Sequence, residues 1–120
     1  MYIFCPDKMG STYATIFAAI NDKLSELGLQ LSADYFMADF EVALRSATQN
    51  AFPSIQIKGC HFHYAKSVWK FVQNNGHKST FSTDSNFATF IKIAIGMAFV
   101  PLGRLQDGLD LLYEIGISLP

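Results

Sequence analysis

The chain has 120 residues, of which 50% are hydrophobic and 14% aromatic, so it can build a compact core and is not a disordered chain. No apolar run approaches the roughly 18 residues of a membrane span, and no basic segment precedes the first apolar one as in a signal peptide. The net charge of −1 argues against a strongly basic nucleic-acid binder, and two cysteines are too few for a disulfide framework. We therefore expect a soluble intracellular protein.

The first segment predicts one strand and one helix. Residues 2–6, "YIFCP", indicate a short strand stopped by proline, so near the terminus that it looks cut out of something longer. Apolar residues at helical spacing then predict a helix that Ser11 or Thr12 caps and that Gly28 ends.

Two further pairs of strand and helix follow. Residues 35–39, "YFMAD", are short and apolar, as in a strand buried on both faces, and Asp39 stands at the carboxyl end. A helical pattern then runs to the "FP" pair at residues 52 and 53. Residues 54–60, "SIQIKGC", alternate as a strand does, and a third helix is predicted to end near Gly76.

The remainder of the chain predicts helices alone. Residues 76–85 are polar and turn-rich, which predicts a loop. A helix over residues 86–99 and a last helix opened by Pro101 complete the pattern. The sequence thus indicates an α/β fold, with about three short strands alternating with helices in residues 1–75 and a helical appendage in residues 84–120.

Asp39 is the best single candidate for chemistry. Ligands of an open α/β sheet collect beyond the carboxyl ends of its strands, and a carboxylate placed there can hold Mg²⁺. The alternative is that Asp39 caps the following helix, because Asp is a favoured N-cap residue. Glu41, in the first turn, suits the helix dipole better than it suits catalysis.

Cys60 and His63 form a Cys-x-x-His pair at a strand-to-helix junction, a spacing that would let both reach one zinc ion. The other soft ligands, Cys5, His61 and His77, have no convincing spacing, so a closed four-ligand zinc site is not expected. The alternative for the pair is a buried thiol beside a hydrogen-bonded histidine.

Basic residues are concentrated in the middle of the chain. Residues 42–83 contain no acidic residue and five basic ones, and such a stretch could face a phosphate backbone. The alternative is a solvated face that happens to be basic. The lysines proposed for DNA contact are Lys58, Lys66, Lys70 and Lys78.

Taken together, the central motifs resemble the core of Mutator-like element (MULE) transposases. The matching positions are Asp39-Phe40-Glu41, Ala43, Ala47, Phe52-Pro53, Gly59-Cys60-x-Phe62-His63 and Trp69. The flanking stretches "YIFCPDKMGSTYATIFAAI" and "FIKIAIGMAFVPLGRLQDGLDLL" are similar to the family's strand and helix and to its later helical segment. The resemblance spans nearly the whole chain.

This resemblance implies an RNase H-like fold and a nuclear enzyme of DNA transposition with three metal-binding carboxylates, two Asp and one Glu. Asp39 stands where the family has the second of the three. The implied chemistry is two-metal phosphoryl transfer, in which Mg²⁺ or Mn²⁺ ions lie about 3.5–4 Å apart. Cys60 and His63 match a family motif whose role we leave unassigned.

The other two family carboxylates have no convincing match. The first Asp is expected on a strand upstream of residues 2–6, and the Glu on a helix well beyond the Cys-x-x-His motif. Asp7, Asp22 and Glu114 lie in other surroundings. We therefore expect a single incomplete domain over residues 1–120, a transposase fragment that is catalytically inactive alone.

The family's strand order, 3-2-1-4-5, also bears on assembly. In that order, two absent strands would separate residues 2–6 from residues 35–39, and their absence would expose strand edges that favour self-association. A different interpretation is a domesticated module that binds DNA or protein without catalysis. A third is a plain globular domain with a coincidental motif.

Overall fold

The protein is described by a computed structural model that covers residues 3–119. These residues divide into two compact units, with the boundary between Cys60 and His61. The amino-terminal unit contains two strands and two helices, and the carboxy-terminal unit is helical. Within the described residues, no helix is both long and apolar enough to cross a membrane.

The amino-terminal unit is built around a small parallel sheet. Its elements are α1 (Gly10–Glu26), β1 (Tyr35–Ala38), α2 (Val42–Ala51) and β2 (Gln56–Gly59). The strands pair in parallel, from Tyr35 opposite Gln56 to Ala38 opposite Gly59, and α2 is the crossover that a parallel pair requires. Helices around a small parallel sheet confirm the α/β class in its coarse form, and both central strands lie where the sequence predicts them.

Phe17 of α1 is the centre of the core in this unit. Its buried ring meets Phe36 of β1 and Phe52, just after α2, in edge-on contacts with ring centroids 6.1 and 5.5 Å apart. Edge-on aromatic pairs stabilise a fold beyond the apolar area that they bury. These contacts hold α1 against β1 and the end of α2. They therefore determine where the end of β1 lies relative to α1.

The prediction that β1 is buried on both faces is wrong. Phe36 and Ala38 point into the core, but Tyr35 and Met37 on the opposite face are 60% and 70% exposed. Lys58 of β2 lies over the Tyr35 ring, with Nζ 5.0 Å from the ring centroid. An apolar strand sequence indicates two covered faces only where a second layer is available, and no described residue of this unit supplies that layer.

The predicted strand over residues 2–6 is also wrong for the part that the structure describes. Tyr2 lies outside the described residues, and Ile3–Pro6 form no strand. Phe4 is 97% exposed. The extended sequence "YIFCP" has strand character, but a strand forms only when another strand accepts its backbone hydrogen bonds, and the described residues offer it none.

The start of α1 differs from the predicted cap. Met9 is the N-cap residue, and Ser11 and Thr12 lie inside the first turn. Met9 makes no side-chain capping bond; just upstream, Oδ1 of Asp7 accepts hydrogen bonds from the Met9 N–H (3.0 Å) and the Thr12 hydroxyl (2.6 Å). The bond from Thr12, with that from Met9, lowers the pKa of the Asp7 carboxyl. The predicted end at Gly28 is confirmed, with α1 ending at Glu26.

The carboxy-terminal unit consists of helices. Its elements are α3 (His61–Asn74), α4 (Lys78–Thr83), α5 (Ser85–Gly96) and α6 (Leu105–Ile117), with 3₁₀ turns at Met97–Phe99 and Leu102–Arg104. The helix predicted over residues 86–99 is therefore α5 plus a 3₁₀ turn. Pro101 precedes the second 3₁₀ turn rather than opening α6, so that prediction is displaced by one turn.

The loop predicted over residues 76–85 is wrong, because α4 occupies most of it. Serine and threonine hydroxyls in this segment donate back to helical carbonyls: Ser82 to Lys78 at 3.2 Å and Thr83 to Ser79 at 3.0 Å. Phe81 packs edge-on against Trp69 of α3, with ring centroids 4.8 Å apart. The packing of the Phe81 ring against Trp69 stabilises a helix in a segment whose polar composition favours a loop.

Candidate functional site

Asp39 lies directly after β1, at the point where the parallel pair ends. The Cys60 N–H donates to the Ala38 carbonyl at 2.7 Å. The hydrogen bonds between the strands therefore continue to the last residue of β1. Asp39 is half-buried at this edge. The fold therefore places this carboxylate at the carboxyl end of both strands, as the sequence predicts.

The Asp39 side chain forms a tight turn with the backbone that follows it. Its Oδ1 accepts a hydrogen bond from the Glu41 N–H at 3.1 Å, an Asx turn. The N-cap of α2 is Glu41, which makes no side-chain capping bond, so Asp39 is not the cap residue that the alternative interpretation requires. No described residue donates to Oδ2 of Asp39, which leaves that oxygen available to a ligand.

Glu41 is held by two residues of the preceding segment. The Tyr13 hydroxyl of α1 donates to Oε1 of Glu41 at 2.8 Å, and Nζ of Lys8 lies 3.5 Å from Oε2. Both carboxylate oxygens of Glu41 are thus engaged. Tyr13 is a site residue that the sequence analysis missed, because 28 residues separate it from Glu41 and its spacing shows only that it belongs to a helix.

The electrostatics of this cluster act on Tyr13. The hydrogen bond to Glu41 raises the pKa of the Tyr13 phenol to about 12, with further contributions from burial and from the negative charges of Glu41, Cys5 and Asp39. A Tyr13 phenolate could no longer donate the hydrogen bond to Glu41, and its negative charge would be repelled by the carboxylates of Glu41 and Asp39. Tyr13 is therefore a neutral hydrogen-bond donor at physiological pH and not a base.

Phe40, between Asp39 and Glu41, packs against the end of β2. A Cβ atom added to Gly59 would lie 2.7 Å from Cζ of the Phe40 ring, so the ring rests directly on the Gly59 backbone. The structure thus places the Phe40 ring of the Asp-Phe-Glu motif on Gly59, the first residue of the Gly-Cys-x-Phe-His motif, 20 residues after Asp39 in the sequence.

Comparison with known protein families identifies the family of the chain. A family model of the MULE transposase domain matches residues 1–67, more than half of the chain. The chain belongs to the MULE transposase domain family. The matched range includes both motifs and ends within α3. Neither a curated protein nor a solved structure matches the chain.

In this MULE transposase domain, Cys60 and His63 belong to different units. Cys60 is a free, half-buried thiol at the end of β2, where its backbone completes the ladder. His63 is exposed in the first turn of α3, and its ring meets that of Phe62 at 5.8 Å. Across residues 3–119, no group of three or more His, Cys, Asp or Glu side chains is arranged to hold a metal ion.

The other acidic candidates of the domain are Asp7, Asp22 and Glu114. Asp7 accepts hydrogen bonds from Met9 and Thr12 ahead of α1, and Asp22 is exposed on α1. Glu114 is exposed on α6 in the carboxy-terminal unit. Glu41 follows Asp39 by two residues, and its oxygens face the Tyr13 hydroxyl at 2.8 Å and Nζ of Lys8 at 3.5 Å.

The four lysines predicted to contact DNA are all exposed. Lys58 lies on β2, Lys66 and Lys70 lie one turn apart on α3, and Lys78 begins α4. Lys58 belongs to the amino-terminal unit and the other three to the carboxy-terminal unit. Residues at i and i+4 share a helix face, so Lys66 and Lys70 form a local pair of positive charges.

Proposed function

We propose that this domain derives from a Mutator-like DNA transposase and that Asp39 is one of the carboxylates of its metal site. The observation that carries the proposal is the position of Asp39, with an available oxygen, where two parallel strands end. That edge is where open α/β sheets collect ligands. The family match over residues 1–67 supports the same assignment, because Asp39 stands in the motif that holds the second family carboxylate.

An RNase H-like fold is part of this proposal. In the strand order 3-2-1-4-5, the last two strands are parallel neighbours joined by a helix, and β1, α2 and β2 have that arrangement. β1 would correspond to strand 4 and β2 to strand 5. The outer edge of β1, which carries the backbone groups that do not face β2, would then be the position of strand 1.

The metal chemistry of such a site would need more than Asp39. Carboxylate oxygens are the ligands that Mg²⁺ and Mn²⁺ prefer, so Asp39 fits as one ligand. Two bound ions would activate a water or a 3′-hydroxyl and stabilise the leaving oxygen. Glu41 is committed to Tyr13 and Lys8, and we therefore propose that the 120-residue chain alone does not cut DNA.

Two measurements test this proposal separately. Supercoiled plasmid incubated with the chain and Mg²⁺ or Mn²⁺ should stay intact; nicking that disappears in Asp39→Asn would refute the proposed inactivity. Mn²⁺ titrated into ¹⁵N-labelled protein should broaden the amide signals around Asp39 first. Asp39→Asn should abolish this broadening, and Asp34→Asn, at the other end of β1, should leave it unchanged. Equal broadening in wild type and Asp39→Asn would overturn the ligand assignment.

A second candidate function is a domesticated module that binds DNA or protein without catalysis. The exposed pair Lys66 and Lys70, together with Lys78, favours this candidate. Lysines that contact DNA phosphates release bound counterions, and this release drives binding without sequence specificity. Binding of a labelled duplex should then weaken steeply with salt and weaken again in Lys70→Glu with Lys78→Glu. The matched control is Lys23→Glu, at a lysine paired with Glu26 on α1. No binding at low salt would eliminate this candidate.

We also propose that the protein is nuclear, because transposases of this family act on DNA. Mg²⁺ or Mn²⁺ is the proposed cofactor, and a closed zinc site at Cys60 and His63 is not part of it. Self-association through the outer edge of β1 stays a prediction, which analytical ultracentrifugation of the chain would test.

A further inference from the structure

An open apolar groove lies in the carboxy-terminal unit between α3, α4 and α5. Its volume is about 430 Å³. Its lining includes buried Ile91 and the edge-on pair of Trp69 and Phe81. The remaining apolar lining consists of Phe62, Ala65 and Ile95. An apolar cavity of roughly 150 Å³ takes one benzene-sized group, so this groove has room for roughly two or three apolar side chains.

Two lysines give the groove a positive charge. Lys66 of α3 and Lys92 of α5 belong to the lining, and both are exposed. Neither forms an ion pair with another described residue. Among the described residues, the lining contains no acidic side chain. A partner that suits it therefore combines large apolar side chains with nearby carboxylates.

The outer face of α6 has this chemistry. Tyr113 and Ile117 are 71% and 66% exposed there, although α6 packs its other face against α5. Asp110 and Glu114 are exposed at i and i+4, and Tyr113 and Ile117 lie on the same stripe, because positions 110, 113, 114 and 117 are spaced by three or four residues. The stripe from Asp110 to Ile117 is about 10 Å long at 1.5 Å per residue. Because this face is exposed, the groove of the same copy does not cover it.

We propose that the groove of one copy binds the outer face of α6 from a second copy. Tyr113 and Ile117 would enter the apolar groove, while Asp110 and Glu114 would meet Lys66 and Lys92. The two surfaces are on different parts of one chain, so the contact is heterologous and can repeat from copy to copy. The proposal stands apart from the metal site, because every residue in it belongs to the carboxy-terminal unit.

Charge reversal on each surface tests the pairing. The groove variant is Lys66→Glu with Lys92→Glu, and the helix variant is Asp110→Lys with Glu114→Lys. Sedimentation of the wild-type chain should show association that grows with concentration, and each variant alone should associate about tenfold more weakly. An equimolar mixture of the two variants should recover association, because the acidic groove of one then faces the basic helix of the other.

Trp69 provides an independent readout, since it is the sole tryptophan and lines the groove. Its emission should shift to shorter wavelength when the groove fills, in wild type and in the variant mixture but in neither variant alone. Lys70→Glu with Lys78→Glu is the matched control: it makes the same charge change outside the lining and should keep the association. Tyr113→Ser removes a large side chain from the contact without reversing charge and should also weaken association.

Three results would overturn the proposal. One is a wild-type chain that stays monomeric at every concentration; if an acidic amphipathic peptide or single-stranded DNA then shifts the Trp69 emission, the groove belongs to another class of partner. Another is association that neither charge-reversed variant weakens. The third is a mixture that associates no better than its components, with circular dichroism showing that both variants are folded.

Discussion

The ring of Phe40 rests on the backbone of Gly59, at a distance that leaves no room for a Cβ atom. Phe40 follows Asp39, and Gly59 precedes Cys60, so this contact joins the ends of the two strands at the candidate site. A side chain on Gly59 would have to push the ring away. The lack of a side chain at Gly59 is therefore a packing requirement of the Asp-Phe-Glu turn.

Gly59→Ala should displace Phe40 and lower the free energy of unfolding by about 1 kcal/mol, near the low end for overpacking because the exposed ring can rotate away. Urea unfolding followed by circular dichroism measures the change. Gly10→Ala is the control, since nothing lies within 4 Å of its added Cβ. In a Phe40→Ala background the cost of Gly59→Ala should vanish; an equal cost in both backgrounds would disprove the contact.

Tyr13 should titrate with a pKa of about 12, because its hydroxyl donates to Glu41. The folded pKa lies above the ordinary value of 10.0, so the stability from this bond is complete below pH 10 and is lost as pH rises through 12. The difference in absorbance near 295 nm between wild type and Tyr13→Phe isolates this one phenol. Glu41→Gln should lower its pKa; an unchanged pKa in that variant would show that Glu41 is not the cause.

Sequence reasoning identified the features that depend on neighbours along the chain. Residues 35–39 and 54–60 have strand character, and the structure pairs them; Gly28 and Gly76 end helices as predicted. The position of Asp39 after a strand followed from the same local pattern. Such patterns are readable because a strand or helix end is determined within a few residues.

The features that the sequence left hidden depend on distant contacts. The bond from Tyr13 to Glu41 joins α1 to the start of α2, and no spacing rule relates the two. Helix α4 depends on Phe81 reaching Trp69, whereas its composition is that of a loop. The exposed side chains of Tyr35 and Met37 show the reverse case. An apolar strand sequence predicted burial on both faces, but the strand is covered on one face only.

Gly28 and Gly76 should each resist replacement for a reason of backbone conformation alone. Their φ angles are +68° and +78°, and nothing lies within 4 Å of an added Cβ at either. Gly28→Ala and Gly76→Ala should each cost about 1 kcal/mol, because an L-residue is strained in the left-handed region. Asn at either position should cost less. Gly103→Ala, at an equally open site without positive φ, is the control. Equal stability of all three alanine variants would contradict the prediction.

Asp84 should stabilise the carboxy-terminal unit as the N-cap of α5. Its Oδ1 accepts hydrogen bonds from the Asn86 and Phe87 N–H groups at 2.8 and 3.1 Å, which satisfies two donors that the helix leaves unpaired. Asp84→Ala should lower the free energy of unfolding by about 1 kcal/mol, and Asp84→Asn should recover most of the loss, because an amide oxygen also accepts these bonds.

Fluorescence of Trp69 during urea unfolding measures the effect of Asp84 in the unit that contains both residues. Ser85→Ala is the matched control, because the Ser85 side chain makes no hydrogen bond within the described residues while its carbonyl still accepts from Thr89. If Asp84→Asn were as damaging as Asp84→Ala, the negative charge and not the capping geometry would hold the start of α5, and raising the salt concentration should then weaken the wild type toward both variants.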